Sequence, residues 1–489
     1  MLFNSYVFLM AFLPVAWLIF FGLNRLGKFR LATISLIIAS FVFYGYQDWR
    51  LCFLLAASIL INFLLHCALM GRNWTMVQRK LMLLCGLIVN FSLLFYFKYL
   101  DFTIENVNTL TGSHFALRNI ALPLGISFYT FQQVSFVVDS YHGNIKKYRF
   151  LEYALFVSFF PQLVAGPIVL HSEMIPQFED KEKRQVNFTN LLSGMEYLIF
   201  GLTKKVLLAD SFGRISDAGY VAVRSLNSVS AVAVILSYTL EIYFDFSGYC
   251  DMAIGIGKLF NIDIPVNFRS PYKAVNIAEF WKRWHMTLTR FLTTYLYIPL
   301  GGNRGGRWKT YRNVMIVFAL SGLWHGANWS FVVWGMLHGV MMVLYRMNKD
   351  KVDRLPKWFS WFLTFAFVNV AWTFFGMESV VQPFKLFAMV ILGGLGGFTQ
   401  TIVDAICSKN LLITLAGYFV GENGMELIMQ FVTALWLLGG TVLCVAAPSS
   451  HELVEKKCRR QWYYFLLALV FILSVIRLSE VSKFIYFNF

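Results

Sequence analysis

Three of the eight histidines in this 489-residue chain, His285, His325 and His338, fall between residues 280 and 339. That stretch opens FWKRWHMTLTRFLTTYLYIPLGGNRGG and closes ALSGLWHGANWSFVVWGMLHG. Imidazole is the side chain best suited to moving protons near neutral pH. It is costly to bury in apolar surroundings without a task, so a membrane chain with histidines inside its spans is a candidate enzyme. The chemistry on offer is proton transfer by general acid–base catalysis.

The three histidines differ in setting. His325 sits in GLWHGANW, within an apolar run over 313–347 that is too long for one ordinary crossing. Gly326 and Asn328, flanked by Trp324 and Trp329, mark a helix break. Such a break leaves His325 either facing a cavity or held as a core histidine by a neighbouring carbonyl. His338 lies 13 residues further on. In an unbroken helix the two rings would stand about 20 Å apart along the axis, which gives His338 a packing or supporting role. His285 ends FWKRWH, where Lys282 and Arg283 suggest the cytoplasmic interface, with Phe280, Trp281 and Trp284 as interfacial aromatics. An ordinary interfacial histidine is the competing account of His285. The residues after it are amphipathic and suit an in-plane or partly inserted helix.

Two carboxylates, Asp245 and Asp251, lie in the otherwise apolar EIYFDFSGYCDMAIG. Asp245 and Tyr249 are four apart, as are Ser247 and Asp251, so each pair shares a helix face. The aspartates point in different directions, which disfavours a paired-carboxylate site. They read as structural polar groups between helices, as do Gln132, Gln133 and Asp139. There is no HExxH zinc motif, no GxSxG and no phosphate-binding loop, and no metal site is expected. GGNRGG reads as a flexible turn. The basic residues Arg304, Arg307, Lys309 and Arg312 around it either meet a phosphate-bearing donor or are loop charges on the cytoplasmic side.

The elements that must position these groups are membrane helices. Hydrophobic residues make up 58% of the chain and charged residues only 14%. A soluble domain of that composition would expose large apolar patches. Spanning-length apolar runs recur at 5–24, 31–46, 51–70, 81–97, 151–170, 357–375, 427–447 and 461–477, and about ten to twelve membrane-embedded segments are expected. Pro161, Gly166 and Pro167 interrupt 151–170, which suits a re-entrant segment. The net charge of +16 is spread over short loops at Arg25/Lys28/Arg30, Arg72/Arg79/Lys80 and Lys146/Lys147/Arg149. The alternate connections, 47–50 and 101–118, carry few basic residues. This is the positive-inside pattern, not a nucleic-acid footprint. Later cytoplasmic candidates are 304–312, 349–357 and 456–460. The first run has no basic residues ahead of it and no small-residue cleavage site, so it is expected to be retained as a span with its N-terminus outside. The seven cysteines are widely spaced and read as small buried hydrophobes.

The chain reads as one all-α polytopic membrane domain in three parts. Residues 1–115 and 349–489 are plain spans. Residues 116–348 are dense in Gly, Pro, His and intramembrane polar groups, and chemistry is expected there, since broken helices persist in lipid only around a cavity. A transporter or flippase using buried histidines as a proton relay is the rival function.

The order FWKRWH, YLYIPLGGNRGG, GLWHGANW resembles the membrane-bound O-acyltransferases. The nearest branch is that of the alginate O-acetyltransferase membrane subunit, and the teichoic-acid D-alanyl transferases are more distant. MLFNSYVFL, LPLGISFYTFQ, FFPQLVAGPI, NFRSPY (267–272) and the closing FIYFNF agree, so the resemblance covers nearly the whole chain. It implies a helical bundle of the bacterial inner membrane around a funnel or tunnel, with His325 as the essential histidine and His285 as the second. It implies an acetyl donor on the cytoplasmic side, acetyl-CoA, and no bound cofactor. The acceptor would be an extracytoplasmic polysaccharide or a periplasmic partner acetyltransferase. The roles expected are a proton acceptor for His325 and, for His285, orientation of the thioester or stabilisation of developing charge. Trp324, Asn328, Trp281, Lys282, Arg283 and Arg304 are the donor- or substrate-binding candidates. Asp245, Asp251, Tyr249 and His338 are the structural supports. One departure stands out: that branch reads RDYLYIPLGG, and Thr293 and Thr294 replace its Arg-Asp pair here.

Overall fold

A computed structural model of the protein describes residues 1–71, 74–407, 422–456, 461–479 and 484–485. Arg72, residues 457–460 and all but two residues of FIYFNF lie outside them. The described residues form helices and connecting turns, and they fall into two compact units.

The first unit comprises Met1–Leu202, Tyr249–Val266 and Cys458–Phe489. It contains α1 (Val7–Arg25), α2 (Phe29–Gly45), α3 (Arg50–Leu69), α4 (Met76–Thr111), α5 (Ile126–His142), α6 (Phe150–Ser158), α7 (His171–Glu179) and α8 (Phe188–Leu202). Leu18, Ile38, Phe53 and Leu64 are exposed, as lipid-facing residues of a span should be. Between helices, polar side chains satisfy one another. Asn62 and Asn90 exchange amide hydrogen bonds of 3.2 and 2.6 Å. Gln133 bonds Ser58 at 3.0 Å, and Asp139 meets His171 at 3.1 Å. The run at 151–170 is broken as its prolines suggest. α6 stops at Ser158, a short helical turn covers Phe160–Leu163, and no helix follows until His171. Its backbone is buried in protein and finds side-chain partners: Phe160 N donates to Ser40 Oγ, and Phe156 O accepts from Gln162. One expectation fails. Residues 101–111 are no loop, because α4 continues through a π-helical turn at Phe95–Tyr99 as far as Thr111.

The second unit comprises Thr203–Gly248 and Asn267–Lys457. Its helices are α9 (Asp210–Val221), the first part of α10 (Ser228–Leu259), α11 (Ile277–Arg283), α12 (Met286–Leu292), α13 (Arg307–His325), α14 (Trp329–Met347), α15 (Lys357–Gly376), α16 (Val381–Leu392), α17 (Gln400–Cys407) and α18 (Glu422–Val445). α19 (Gln461–Ile476) returns to the first unit. Among the described residues seven helices are long and apolar enough to cross a membrane, and α2, α16 and α19 are shorter apolar helices. None of the six cysteines described is in a disulfide.

The long run at 313–347 is two helices. α13 ends at His325, and the chain reverses through Gly326 and Asn328 into α14. Asn328 caps α14, its Oδ1 accepting from Ser330 N at 2.9 Å. The two helices then pack closely because Gly322 and Gly335 face each other. A Cβ on Gly335 would collide with the Phe318 carbonyl. Gly335→Val is therefore expected to destabilise the protein by about 1–3 kcal/mol and to displace His325. A thermal unfolding curve in detergent checks this, and an unchanged midpoint would refute it.

Candidate functional site

The site begins at a turn that few residue types tolerate. α11 is capped by Asn276, whose side chain accepts from Glu279 N at 2.8 Å. Glu279 in turn holds Arg283 at 2.7 Å. α11 ends at Arg283 with Trp284 as its C-cap, and His285 follows with φ 44° and ψ 52°, in the left-handed region. A side chain with a Cβ is uncommon there and is held only when its surroundings over-determine it. Here the strap at residues 267–269 supplies the restraint. Met286 N donates to Asn267 O and Arg269 N to Arg283 O, each at 3.0 Å.

His285 is fully buried. Its ring stands 4.8 Å, edge to face, from Phe246 of α10 and 6.3 Å from Trp324. Its Nδ1 lies 3.2 Å from Asn267 Oδ1. Burial pushes its pKa down to about 3, so the ring is neutral at physiological pH. His325, at the end of α13, is 3% exposed. It is caged by Trp324, Trp334 and Phe375 at 4.9, 5.1 and 5.2 Å. The centres of the His285 and His325 rings are 6.4 Å apart. Two imidazoles from separate helical segments thus share one aromatic enclosure.

Three sequence expectations change. Phe280, Trp281 and Trp284 are buried, not interfacial. Only Lys282 of that motif is well exposed, because the helical period turns the aromatics inward against α14 and α15. Trp281 packs on Trp334 and Trp284 on Trp372. His285 accordingly lies in the protein interior. The 20 Å spacing of His325 and His338 does not apply, since the helix between them is broken. Trp334 touches both rings, at 5.1 and 5.0 Å. His338 is completely buried, and its Nδ1 accepts the Trp281 indole N–H at 3.3 Å.

The remaining candidates are placed as follows. Arg283 is engaged with Glu279 and with the Arg269 carbonyl at 3.2 Å, so its charge serves the strap. Asn328 is a helix cap that also donates to Glu378 O at 2.5 Å. Arg304 is exposed in the glycine turn, where Gly301, Gly302, Gly305 and Gly306 all have positive φ. Tyr249 stacks on Phe3 in the first unit, 4.9 Å between ring centres, and Asp251 is buried. Asp245 meets a residue that the sequence analysis passed over: Lys205 Nζ donates to Asp245 at 2.6 Å and to Asp210 at 2.9 Å. One turn before Asp245, Glu241 bonds Ser216 of α9 at 2.5 Å. The signal for Lys205 was available, as a lysine inside an apolar run marks a buried partner.

A cavity of about 200 Å³ opens beside Trp281 and Ser321. Its walls include Trp281, Leu292, Phe318 and Met342, with Ser321 and Arg346 among the polar lining. Ser321 stands four residues before His325 on α13, one helical turn away on the same face. Thr293, at the site of the missing Arg-Asp pair, lines the same cavity, and its hydroxyl is turned back to the Thr289 carbonyl at 2.7 Å.

Residues 107–380 match the profile of the membrane-bound O-acyltransferase family. A peptidoglycan O-acetyltransferase of Helicobacter pylori is 43% identical, over 81% of this chain and 80% of that protein. A protein of Pseudomonas aeruginosa described as "Probable alginate O-acetylase AlgI" is 37% identical, over 79% of this chain and 74% of its own length. A teichoic acid D-alanyltransferase of Streptococcus thermophilus is 28% identical, over 45% of this chain and 56% of its own.

Proposed function

Because the chain belongs to the membrane-bound O-acyltransferase family, we propose that it moves an acetyl group from acetyl-CoA, on the cytoplasmic side of the bacterial inner membrane, to a hydroxyl on the far side. The acceptor is a polysaccharide hydroxyl, or a serine of a periplasmic partner acetyltransferase that completes the transfer. Relatives named for peptidoglycan and alginate acetylation support a polysaccharide as the final acceptor.

The observation that carries this reading is the His285–His325 pair, 6.4 Å between ring centres, with a cavity that reaches Ser321, one helical turn from His325. The cavity suits the pantetheine arm of the donor. Its lining is mostly apolar, and Arg346 offers a cation for a phosphate. Arg346 also leads into the basic stretch Lys349, Lys351, Arg354 and Lys357, the composition of a cytoplasmic end. In the reaction the hydroxyl oxygen attacks the acetyl carbonyl carbon. A carbon–oxygen bond forms, the carbon–sulfur bond breaks, and the hydroxyl proton passes to a neutral imidazole of the pair and then to the leaving thiolate. An alcohol is a poor nucleophile at pH 7, and a positioned base contributes about 10²–10⁴-fold. The tryptophan and phenylalanine walls keep water from the thioester.

Purified protein in vesicles, given radiolabelled acetyl-CoA and native glycan, is expected to yield labelled ester. Solute flux without any labelled product would reject the proposal in favour of a transporter. Met342→Trp narrows the cavity away from the histidines. It is expected to raise the KM for acetyl-CoA roughly tenfold with kcat within about twofold. An unchanged KM would remove this cavity from donor binding.

A further inference from the structure

The hydrogen bonds at Asn267 settle which nitrogen of His285 carries its proton. Asn267 Oδ1 accepts from Thr287 N at 3.1 Å and from Thr287 Oγ1 at 2.9 Å. A backbone N–H only donates, so the amide atom facing Thr287 is oxygen and the orientation of the amide is fixed. The same oxygen lies 3.2 Å from His285 Nδ1. An oxygen acceptor there requires a proton on Nδ1. In a neutral ring the lone pair then resides on Nε2.

We infer that Asn267 is a positioning residue that locks His285 in its Nδ1–H tautomer, so that His285 meets the acceptor hydroxyl through the Nε2 lone pair. The inference rests on the acetyl-transfer reading above. It gives His285 the proton acceptor's part. A ring in this state has no Nε2–H to offer a developing oxyanion, so of the two roles expected for His285, orienting the thioester or stabilising developing charge, the second is not open to it. The hydroxyl proton goes to Nε2 as the carbon–oxygen bond forms, and the resulting imidazolium returns it to the departing thiolate. Asn267 also explains the NFRSPY block. Its carbonyl and its side chain both hold the left-handed turn at His285, so a single residue sets both the position and the protonation of the ring. Around the ring, α10 presents Phe246 and α13 presents Trp324, both uncharged, and the titratable ring of His325 faces it.

The test has a readout that does not depend on activity. In full-length protein labelled with ¹⁵N-histidine, the His285 resonances are identified by their loss in His285→Gln. They are expected to show a protonated Nδ1 and an unprotonated Nε2. A protonated Nε2 at neutral pH overturns the inference. In a second arm, Asn267→Asp keeps the acceptor and places a negative charge beside Nδ1, which favours the imidazolium. The acid limb of the kcat–pH profile is expected to move up by about one pH unit or more, with the KM for acetyl-CoA unchanged. Asn267→Leu, which removes the acceptor, is expected to lower kcat about tenfold or more without that displacement. A purely structural Asn267 would leave the acid limb in place in Asn267→Asp, and that result also overturns the inference. If the tautomer is as stated but His285→Gln transfers acetyl at the parent rate, the proposed function of the pair fails while the tautomer stands.

Discussion

His325→Ala is expected to lower acetyl transfer to glycan by about 10²–10⁴-fold, the range for losing one proton-transfer or charge-stabilising group at a reacting centre. The ring is held by Trp324, Trp334 and Phe375 at the end of α13, one turn from the cavity, and its partner His285 is 6.4 Å away. Truncation to a methyl group leaves the aromatic walls but removes one of the two imidazoles of the enclosure. Binding of acetyl-CoA is expected to persist, since the cavity is walled by Trp281, Phe318 and Met342. The loss should therefore fall on kcat and not on KM. Near-wild-type acetylation by a variant present at normal levels would exclude His325 from the mechanism.

Lys205→Met is expected to have the largest effect on stability. Lys205 is buried and serves both Asp245 and Asp210. Taking away the cation leaves two carboxylates in low-dielectric surroundings, a change worth about 3–5 kcal/mol of destabilisation. The measurement is the apparent unfolding temperature in detergent. Adding Asp245→Asn and Asp210→Asn to Lys205→Met removes the uncompensated charge and is expected to recover most of the loss. Should Lys205→Met alone melt with the parent, the triad would carry no net stabilisation. Such a triad ties the π-helical segment Thr203–Ala209 and α9 to α10, one residue from the Phe246 that packs on His285. Activity is therefore expected to fall with stability.

Much of this architecture is legible in the amino-acid order because the bilayer imposes simple rules. Apolar runs of spanning length became helices, the proline-broken run at 151–170 became an interrupted one, and the 313–347 run divided at Gly326–Asn328. Other features were out of reach. FWKRWH reads as interfacial because aromatic and basic residues together are the composition of a membrane boundary. Which side of α11 turns inward depends on what packs there, and Trp334 and Trp372 lie 50 or more positions further along the chain.

The order of residues by itself determined that this is a helical membrane protein, that its chain breaks beside His325, and that imidazole is available for proton transfer among apolar helices. Those properties follow from local composition, helix length and the cost of burying polar groups. Tertiary structure alone decided that His285 and His325 face one another, that Lys205 joins Asp245, and that Asn267 reaches Nδ1 of a histidine 18 positions away. Each of these is a contact between segments distant along the chain. Such contacts depend on the directions in which helices cross and side chains project, which no local pattern encodes.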